Sequence, residues 1–347
     1  MFAYHTYLTL IVPAIIAFII TTVATKFLMD YFLGAGIVGD DNNKPKKVML
    51  PSSGGIAIAF GLIIGIMTYT FGGTFVYHPI ISVSELLAAA LSIILITFVG
   101  FLDDINVSSR KVTTTDMKSV RKGLKQWQKP LLTVIGAIPL MAINAGVSTI
   151  NLPLIGPVAF GLIYPLVILP LAVIFVANAF NLLGGFDGLQ SGMGLIASLG
   201  LLLYTTFFGS PIGALLSALL FASLLAFIPF NMYKARVIPG DSFTYCVGGA
   251  IVAIVTIGNA EAFGLIIFIP WIIEFVLHAR RRFKVTDLGI PQKDGTMKPP
   301  YGKQIYSLTH LVMNIKKLKE YEVSAYLMSL ETLFVLVGFA LKFVGLL

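Results

Sequence analysis

The sequence has few charged residues and almost no cysteine. Only 12% of its 347 residues are charged, whereas a soluble domain carries roughly 25%, and 57% are hydrophobic. The single cysteine, Cys246, excludes a disulfide framework within the chain. The first apolar run lacks a preceding basic residue and a small-residue cleavage site, so it predicts a retained span and not a signal peptide. What remains is an integral membrane protein without a separate soluble domain.

Apolar runs long enough to cross a bilayer, ~20 residues each, recur along almost the whole chain. Two short breaks, at 208–211 and 258–261, divide runs of double length. We therefore predict an all-α, polytopic fold with about ten transmembrane helices in a single membrane domain, residues 1–347. The predicted spans are 8–30, 54–73, 85–102, 130–146, 157–177, 193–208, 211–231, 244–258, 263–279 and 324–346.

The basic residues predict the orientation. Of the 24 Lys and Arg residues, 22 lie in four segments, 44–47, 110–129, 234–236 and 280–319, which follow the first, third, seventh and ninth predicted spans. By the positive-inside rule this face is cytoplasmic and both termini are extracytoplasmic. Topology signalling alone is the other explanation for any one lysine. The loops expected to form a cytoplasmic active site are about 31–53, 103–129, 178–192, 232–243 and 280–323.

Four aspartates at the ends of spans reach this same face: Asp103, Asp104, Asp187 and Asp241. A carboxylate at membrane depth costs on the order of 2.5–3.5 kcal/mol, so it is a functional candidate. Clustered carboxylates repel one another, and a hard divalent cation with oxygen ligands relieves that repulsion. Mg²⁺ fits best, with Mn²⁺ as the alternative ion. Solvated loop residues are the competing interpretation, strongest for Asp104.

The stretch NAFNLLGGFDGLQSG, residues 178–192, is a polar turn between two apolar runs. Glycines flank Asp187, and Gly185 and its neighbours leave backbone N–H groups free for phosphate oxygens. Asn178 and Asn181 share one face if the helix continues through them, and an amide oxygen can bind magnesium. Helix capping also explains either asparagine. The turn predicts one wall of a site for a magnesium-bound phosphate compound.

Basic side chains accompany these acids. Arg280, Arg281 and Arg282 follow the ninth predicted span, and guanidinium groups pair bidentately with phosphate oxygens. Anchoring to anionic headgroups is the alternative. Lys129 begins the fourth predicted span and either reaches a phosphate or snorkels to the interface. The polar stretch 285–303 is expected to act as a lid, and 305–321 to form a helix in the interface plane.

Five ordered motifs resemble the polyprenyl-phosphate N-acetylhexosamine-1-phosphate transferase superfamily, closest to its dolichyl-phosphate N-acetylglucosamine-phosphotransferase branch. The resemblance covers about 40–305. The motifs are GFLDDIN, NAFNLLGGFDGLQSG, RVIPGDSFTYCVGG, the basic loop after the ninth span, and DDNNKPKKVMLPSSGG. Gly184 stands where bacterial members have an aspartate, and arginines replace their histidine-rich loop, which argues against a murein-peptide substrate. Ile238 replaces an aromatic residue that stacks on uracil in the eukaryotic branch.

The resemblance implies roles for individual residues. Asp103, Asp104 and Lys129 are expected to be catalytic, and Asp241 and Asn181 to hold the metal. The expected substrate-binding residues are Asp41, Asn43, Lys44, Asn178, Gly185, Asp187, Arg280, Arg281 and Arg282.

The implied reaction transfers N-acetylglucosamine 1-phosphate from UDP-N-acetylglucosamine to a polyprenyl or dolichyl phosphate and releases UMP. The enzyme would lie in the cell membrane or, in a eukaryote, the endoplasmic reticulum; it would bind no nucleic acid, and a homodimer is a further expectation. The open alternatives are a phosphotransferase using another UDP-N-acetylhexosamine or a CDP-alcohol, and a transporter of phosphorylated solutes. A transporter would place ionisable residues near mid-span, and the predicted span centres are nearly free of charge.

Overall fold

A computed structural model confirms an all-helical membrane architecture. Eight of its helices are long and apolar enough to cross a membrane, or nine when one bent pair counts as a span, within the part of the chain that the structure describes. The structure describes residues 2–44, 46–78, 80–105, 108–113, 119–122, 124, 127–146, 149–152 and 155–347.

Short connections between consecutive helices favour antiparallel neighbours. In chain order they are α1 Phe2–Gly34, α2 Gly55–Phe75, α3 Val83–Ile105, α4 Gln128–Thr133, α5 Ile138–Ala142, α6 Leu169–Leu182, α7 Leu189–Phe207, α8 Pro211–Asn231, α9 Gly240–Ile257, α10 Glu261–Ile267, α11 Ile269–Ala279, α12 Leu308–Ile315 and α13 Glu320–Phe343. A π-helical turn, Tyr164–Ile168, leads into α6.

Helices α8 and α9 form the centre of the bundle and are the most buried of the spans. Helix α3 packs along α9 at very short range, since a Cβ on Gly100 would lie 2.4 Å from the backbone oxygen of Asp241. Small residues allow membrane helices to approach in this way. The close approach brings the carboxyl end of α3 beside the amino end of α9, where both carry acids.

Short antiparallel strands lie outside the spans. Strands β1 and β2 form a hairpin between α1 and α2, β3 pairs with β4 before α4, and β5 pairs with β6 before α6. A three-stranded sheet, β7-β8-β9, follows α11. The strands are β1 Val38–Asp40, β2 Met49–Pro51, β3 Ser108–Thr113, β4 Ser119–Lys122, β5 Thr149–Leu152, β6 Gly156–Ala159, β7 Ile290–Pro291, β8 Thr296–Lys298 and β9 Leu318–Lys319.

The fourth predicted span, 130–146, differs from the others. Its residues form α4, a 3₁₀ turn at Val134–Ala137 and α5, which together are shorter than the helices that are long enough to cross a membrane. Pro139 lies at the start of α5, and proline removes a backbone donor. The count of about ten spans and the positions of the termini stay predictions.

The ninth predicted span and the predicted interfacial helix differ in shape or length from the elements in the structure. The ninth span is the bent pair α10 and α11, at 56° to each other, with Pro270 in the first turn of α11. The interfacial helix expected over 305–321 is shorter, Leu308–Ile315, and ends before β9. Of the loop expected over 103–129, the residues 106–107, 114–118, 123 and 125–126 lie outside the described ones.

Candidate active site

Asp103 and Asp104 occupy the last turn of α3, and Asp241 occupies the first turn of α9. The Asp104 carboxylate accepts the backbone N–H groups of Asp241 and Ser242 at 2.8 and 3.0 Å and the Ser53 hydroxyl at 2.8 Å. These N–H groups have no partner inside their own helix, and the helix amino end favours negative charge. Asp104 therefore fixes the start of α9, and its expected catalytic role stays a prediction.

Gly240, the first residue of α9, has φ +76°. A Cβ there would lie 2.5 Å from an Asp104 carboxylate oxygen, and the left-handed backbone disfavours other residues. Glycine at this position thus allows Asp104 to reach the helix end.

Lys129 joins the two remaining acids. Its Nζ lies 2.8 Å from Asp103 Oδ2 and 2.5 Å from Asp241 Oδ2, and its side chain is 22% exposed. An ammonium between two carboxylates offsets their mutual repulsion. Asp103 also accepts the backbone N–H of Leu124. The contact with Asp241 spans 112 residues of sequence, so this group, hereafter the Lys129 cluster, is created by the packing of α3, α4 and α9.

The two asparagines of α6 face this cluster at different depths. The Asn181 amide lies beside the Asp241 carboxylate. Asn178 is bound by the protein itself: its oxygen accepts the Tyr245 hydroxyl at 3.2 Å, and its nitrogen donates to Ile174 O at 2.8 Å. The structure thus brings Asn181 to the acids as expected, while Asn178 connects α6 to α9.

Lys44 is the centre of a second group, hereafter the Lys44 cluster. Its Nζ lies 3.1 Å from Asp41, 2.7 Å from Asp187 and 2.5 Å from Glu320. Burial and the nearby Asp187 carboxylate raise the pKa of Asp41. Burial opposes the charged form of Lys44, but hydrogen bonds to Asp187 and Glu320 outweigh it and raise the pKa of the lysine. Charged Lys44 therefore holds three separate segments together.

The segment after the arginines is fastened to the glycine turn of residues 184–188. Asn43 donates from its amide to Gly185 O at 2.5 Å and accepts from Gly289 N at 3.2 Å. Asp287 Oδ2 accepts the Gly184 N–H at 2.9 Å. Burial, with repulsion from Glu274, raises the pKa of Asp287 to about 6. The expected lid thus contacts the turn at its base, and closure over a substrate stays a prediction.

The three arginines lie at the end of α11 and are exposed. The guanidinium groups of Arg280 and Arg281 lie 5.8 and 4.9 Å from the Tyr306 ring, within cation–π range. Arg282 and Phe283 have φ of +54° and +58°. Two successive non-glycine residues in this region are uncommon and concentrate at functional sites. Convergence of the arginines on the acids stays a prediction.

Several buried polar residues near the site were not selected from the sequence. Glu274 is fully buried; its Oε1 lies 2.9 Å from His278 Nε2, and its Oε2 accepts the backbone N–H of Leu308 at 2.7 Å. The four-residue spacing of this pair is a detectable signal, since such residues meet on a helix. Glu320 and Asp287 carry no such signal, because their contacts on the glycine turn span 133 and 103 residues.

The donor atoms at the Lys129 cluster fit a magnesium ion. Asp241 offers a carboxylate and Asn181 an amide beside it, and Mg²⁺ takes a few such oxygen ligands and completes its shell with water and phosphate. Among the described residues, the one group of three carboxylates within 4.8 Å is Asp41, Asp187 and Glu320, and Lys44 already neutralises part of its charge.

Comparison with known proteins confirms the resemblance. Residues 86–259 match the model of glycosyl transferase family 4. A protein of Saccharolobus solfataricus assigned as a UDP-N-acetylglucosamine–dolichyl-phosphate N-acetylglucosaminephosphotransferase is 33% identical over 96% of this chain and 97% of its own. The enzyme of that name from Dictyostelium discoideum is 26% identical over 88% and 79%. A phospho-N-acetylmuramoyl-pentapeptide-transferase of Clostridium perfringens is 30% identical over 70% and 75%.

Proposed function

The chain belongs to glycosyl transferase family 4, and from that premise we propose that it transfers N-acetylglucosamine 1-phosphate from UDP-N-acetylglucosamine to a dolichyl-type polyprenyl phosphate. An oxygen of the lipid phosphate attacks the sugar-bearing phosphorus. The bond between that phosphorus and the bridging oxygen breaks, and UMP leaves. The products are polyprenyl-diphosphate-N-acetylglucosamine and UMP.

The observation that carries this proposal is the Lys129 cluster. An ammonium, two carboxylates and an amide from four separate helices share one end of the bundle. Phosphoryl transfer depends mainly on positioning and on neutralisation of spreading charge. A lysine that binds two carboxylates, with an amide beside them, is suited to that task. The surrounding apolar helices are suited to contact an isoprenoid tail.

In this proposal, Lys129 and Asp103 receive the lipid phosphate. The second pKa of a phosphate monoester is near 6, so the attacking group is largely a dianion at neutral pH and needs no base. Lys129 offsets its charge during approach. Asp103, bound to both Lys129 and the Leu124 N–H, keeps the ammonium in place.

Asp241 and Asn181 are the residues that would hold Mg²⁺. When bound, the ion supplies charge neutralisation at the diphosphate and makes UMP a better leaving group. The arginines at 280–282 would bind the remaining phosphate oxygens. The glycine turn and the Lys44 cluster would form the wall of the nucleotide-sugar pocket.

The cytoplasmic face is part of the proposal, supported by the 22 basic residues gathered on one side. The single native cysteine is buried, so a cysteine introduced at Lys293 gives one accessible thiol. A membrane-impermeant maleimide should label it in inside-out vesicles and not in right-side-out vesicles. A homodimer also remains a proposal, which light scattering of the detergent-solubilised protein tests.

Incubation of the purified protein with radiolabelled UDP-N-acetylglucosamine, a polyprenyl phosphate and Mg²⁺, followed by lipid extraction, tests the function. Label should enter the lipid phase in proportion to UMP released. UDP-N-acetylgalactosamine, UDP-N-acetylmuramoyl-pentapeptide and a CDP-alcohol serve as parallel donors. Lipid labelling by another donor alone would overturn the sugar assignment, and absence of labelling from all of them would overturn the function.

A further inference from the structure

The last helix, α13, lies outside the residues that match the family, 86–259, yet it touches the glycine turn. The first turn of α13 carries Glu320, and Ser324 follows one turn later. Both are buried, at 5% and 4% exposure. A transmembrane helix with buried polar groups at its end requires partners for them, and those partners are found at Asp187.

The two side chains bind Asp187 from both sides of its backbone. Glu320 Oε1 accepts the Asp187 N–H at 3.2 Å, and the Ser324 hydroxyl donates to the Asp187 carbonyl at 2.8 Å. Glu320 Oε2 lies 2.5 Å from Lys44 Nζ. The start of α13 therefore fixes the backbone N–H and the backbone carbonyl of Asp187, and it also fixes Lys44, which pairs with the Asp187 carboxylate.

The Asp187 side chain is left with one oxygen for a ligand. Oδ2 binds Lys44 at 2.7 Å and the Ala235 N–H at 3.0 Å. In the ranges described by the structure, Oδ1 has no hydrogen-bond donor. A carboxylate held at its backbone and at one oxygen presents the other oxygen in a fixed direction, which suits an N–H or hydroxyl donor of a ligand.

We propose that Glu320 and Ser324 are positioning residues of the nucleotide-sugar pocket. They fix the Asp187 carboxylate and Lys44, so that the pocket binds the nucleotide end of the donor substrate. This inference rests on the proposed function and extends its site to the last helix. A fixed site loses less conformational freedom on binding. Loss of the contacts that Glu320 and Ser324 make, hereafter the clamp, therefore weakens binding of the donor substrate and leaves the chemistry at the Lys129 cluster unchanged.

Variants at the two positions test the clamp through a separation of KM from kcat. We expect Glu320→Ala to raise the KM for UDP-N-acetylglucosamine about tenfold or more, since it removes hydrogen bonds of a charged group. Its kcat and its KM for polyprenyl phosphate should stay within about twofold. Glu320→Gln keeps an oxygen acceptor for the Asp187 N–H and should give a smaller rise, as should Ser324→Ala.

Glu322→Ala is the matched control. Glu322 lies in the same helix turn, and its carboxylate accepts the Lys319 N–H at 2.7 Å, so its loss loosens the same helix end without touching Asp187. Its KM for the donor should stay within about twofold of the wild type. Partial unfolding would lower kcat through the active fraction and leave KM unchanged, which separates a fold defect from loss of the clamp.

Three results would overturn the clamp: unchanged donor KM in both Glu320→Ala and Ser324→Ala, an equal rise of both substrates' KM, or the same donor KM rise in Glu322→Ala. If the wild type transfers no sugar phosphate at all, the proposed function fails instead. Calorimetric titration with UMP then decides the clamp: weaker binding in Glu320→Ala supports it, and equal binding, or none by the wild type, rejects it.

Discussion

The molecule has two lysine-centred acidic clusters, and they differ in what their carboxylates also contact. In the Lys129 cluster, Asp103 and Asp241 lie at helix ends, and an amide lies beside them. In the Lys44 cluster, both Asp187 and Glu320 also accept backbone N–H groups, whereas in the Lys129 cluster Asp103 accepts one. We propose that the Lys129 cluster serves the chemistry and that the Lys44 cluster positions the nucleotide-sugar pocket. Similar residue types would then serve chemistry in one place and positioning in the other.

The largest expected effect is that of Asp241→Asn. The change removes the negative charge of the proposed metal ligand, which is also a partner of Lys129, so kcat should fall about 1000-fold, at the upper end for loss of one electrostatic contact. The initial rate of lipid labelling measures it. Asp30→Asn, at an exposed position on α1, should stay near wild type. Turnover within tenfold of the wild type in Asp241→Asn would contradict the assignment of the chemistry to the Lys129 cluster.

Lys129→Met should lower kcat about 100-fold with little change in donor KM. The ammonium binds both Asp103 and Asp241, and its loss leaves their repulsion uncompensated. Lys26→Met, an exposed lysine on α1, is the control in the same steady-state assay. If the KM for the donor substrate rises by a larger factor than kcat falls, the Lys129 cluster acts mainly on donor binding, as is expected of the Lys44 cluster.

Lys44→Met should act mainly on binding, with a rise of about tenfold in donor KM. Because the variant also leaves three carboxylates without their cation, its Tm should fall as well. The double variant Lys44→Met/Glu320→Gln should recover part of the Tm, since it removes one of the uncompensated charges. If the Tm loss of the double variant equals the sum of the losses in Lys44→Met and Glu320→Gln, Lys44 and Glu320 do not act together.

The smallest effect concerns Asp287 and pH. Its pKa is raised to about 6 in the folded protein, so its stabilising contribution is present in full below the usual aspartate pKa and is lost as pH rises through about 6. Asp287→Asn does not titrate, so its Tm relative to the wild type should rise by about 2–4 °C between pH 5 and pH 8. Thermal melts in a detergent of constant composition measure this. A constant Tm difference would show that the pKa of Asp287 is not raised in the folded protein.

The sequence predicted the parts of the site that lie at the ends of apolar runs. Asp103 and Asp241 were selected because carboxylates are costly at membrane depth, and Asn181 because an amide oxygen can bind magnesium; the structure places the three together. The carboxylate of Asp104 also binds the amino end of α9, a contact that no local pattern reveals, and its expected catalytic role stays a prediction. The fourth span was expected over 130–146 because its composition is apolar, whereas the structure has there a shorter helical segment, Gln128–Ala142, that contains a 3₁₀ turn.

By itself, the sequence determined that the chain is a helical membrane protein, because hydropathy acts locally along the chain. Only the tertiary structure decided that Lys129 binds Asp103 and Asp241 while Lys44 binds Asp187 and Glu320. Those contacts join residues more than 100 positions apart, with separations such as 112 and 276, and they exist only because packed helices bring their ends together.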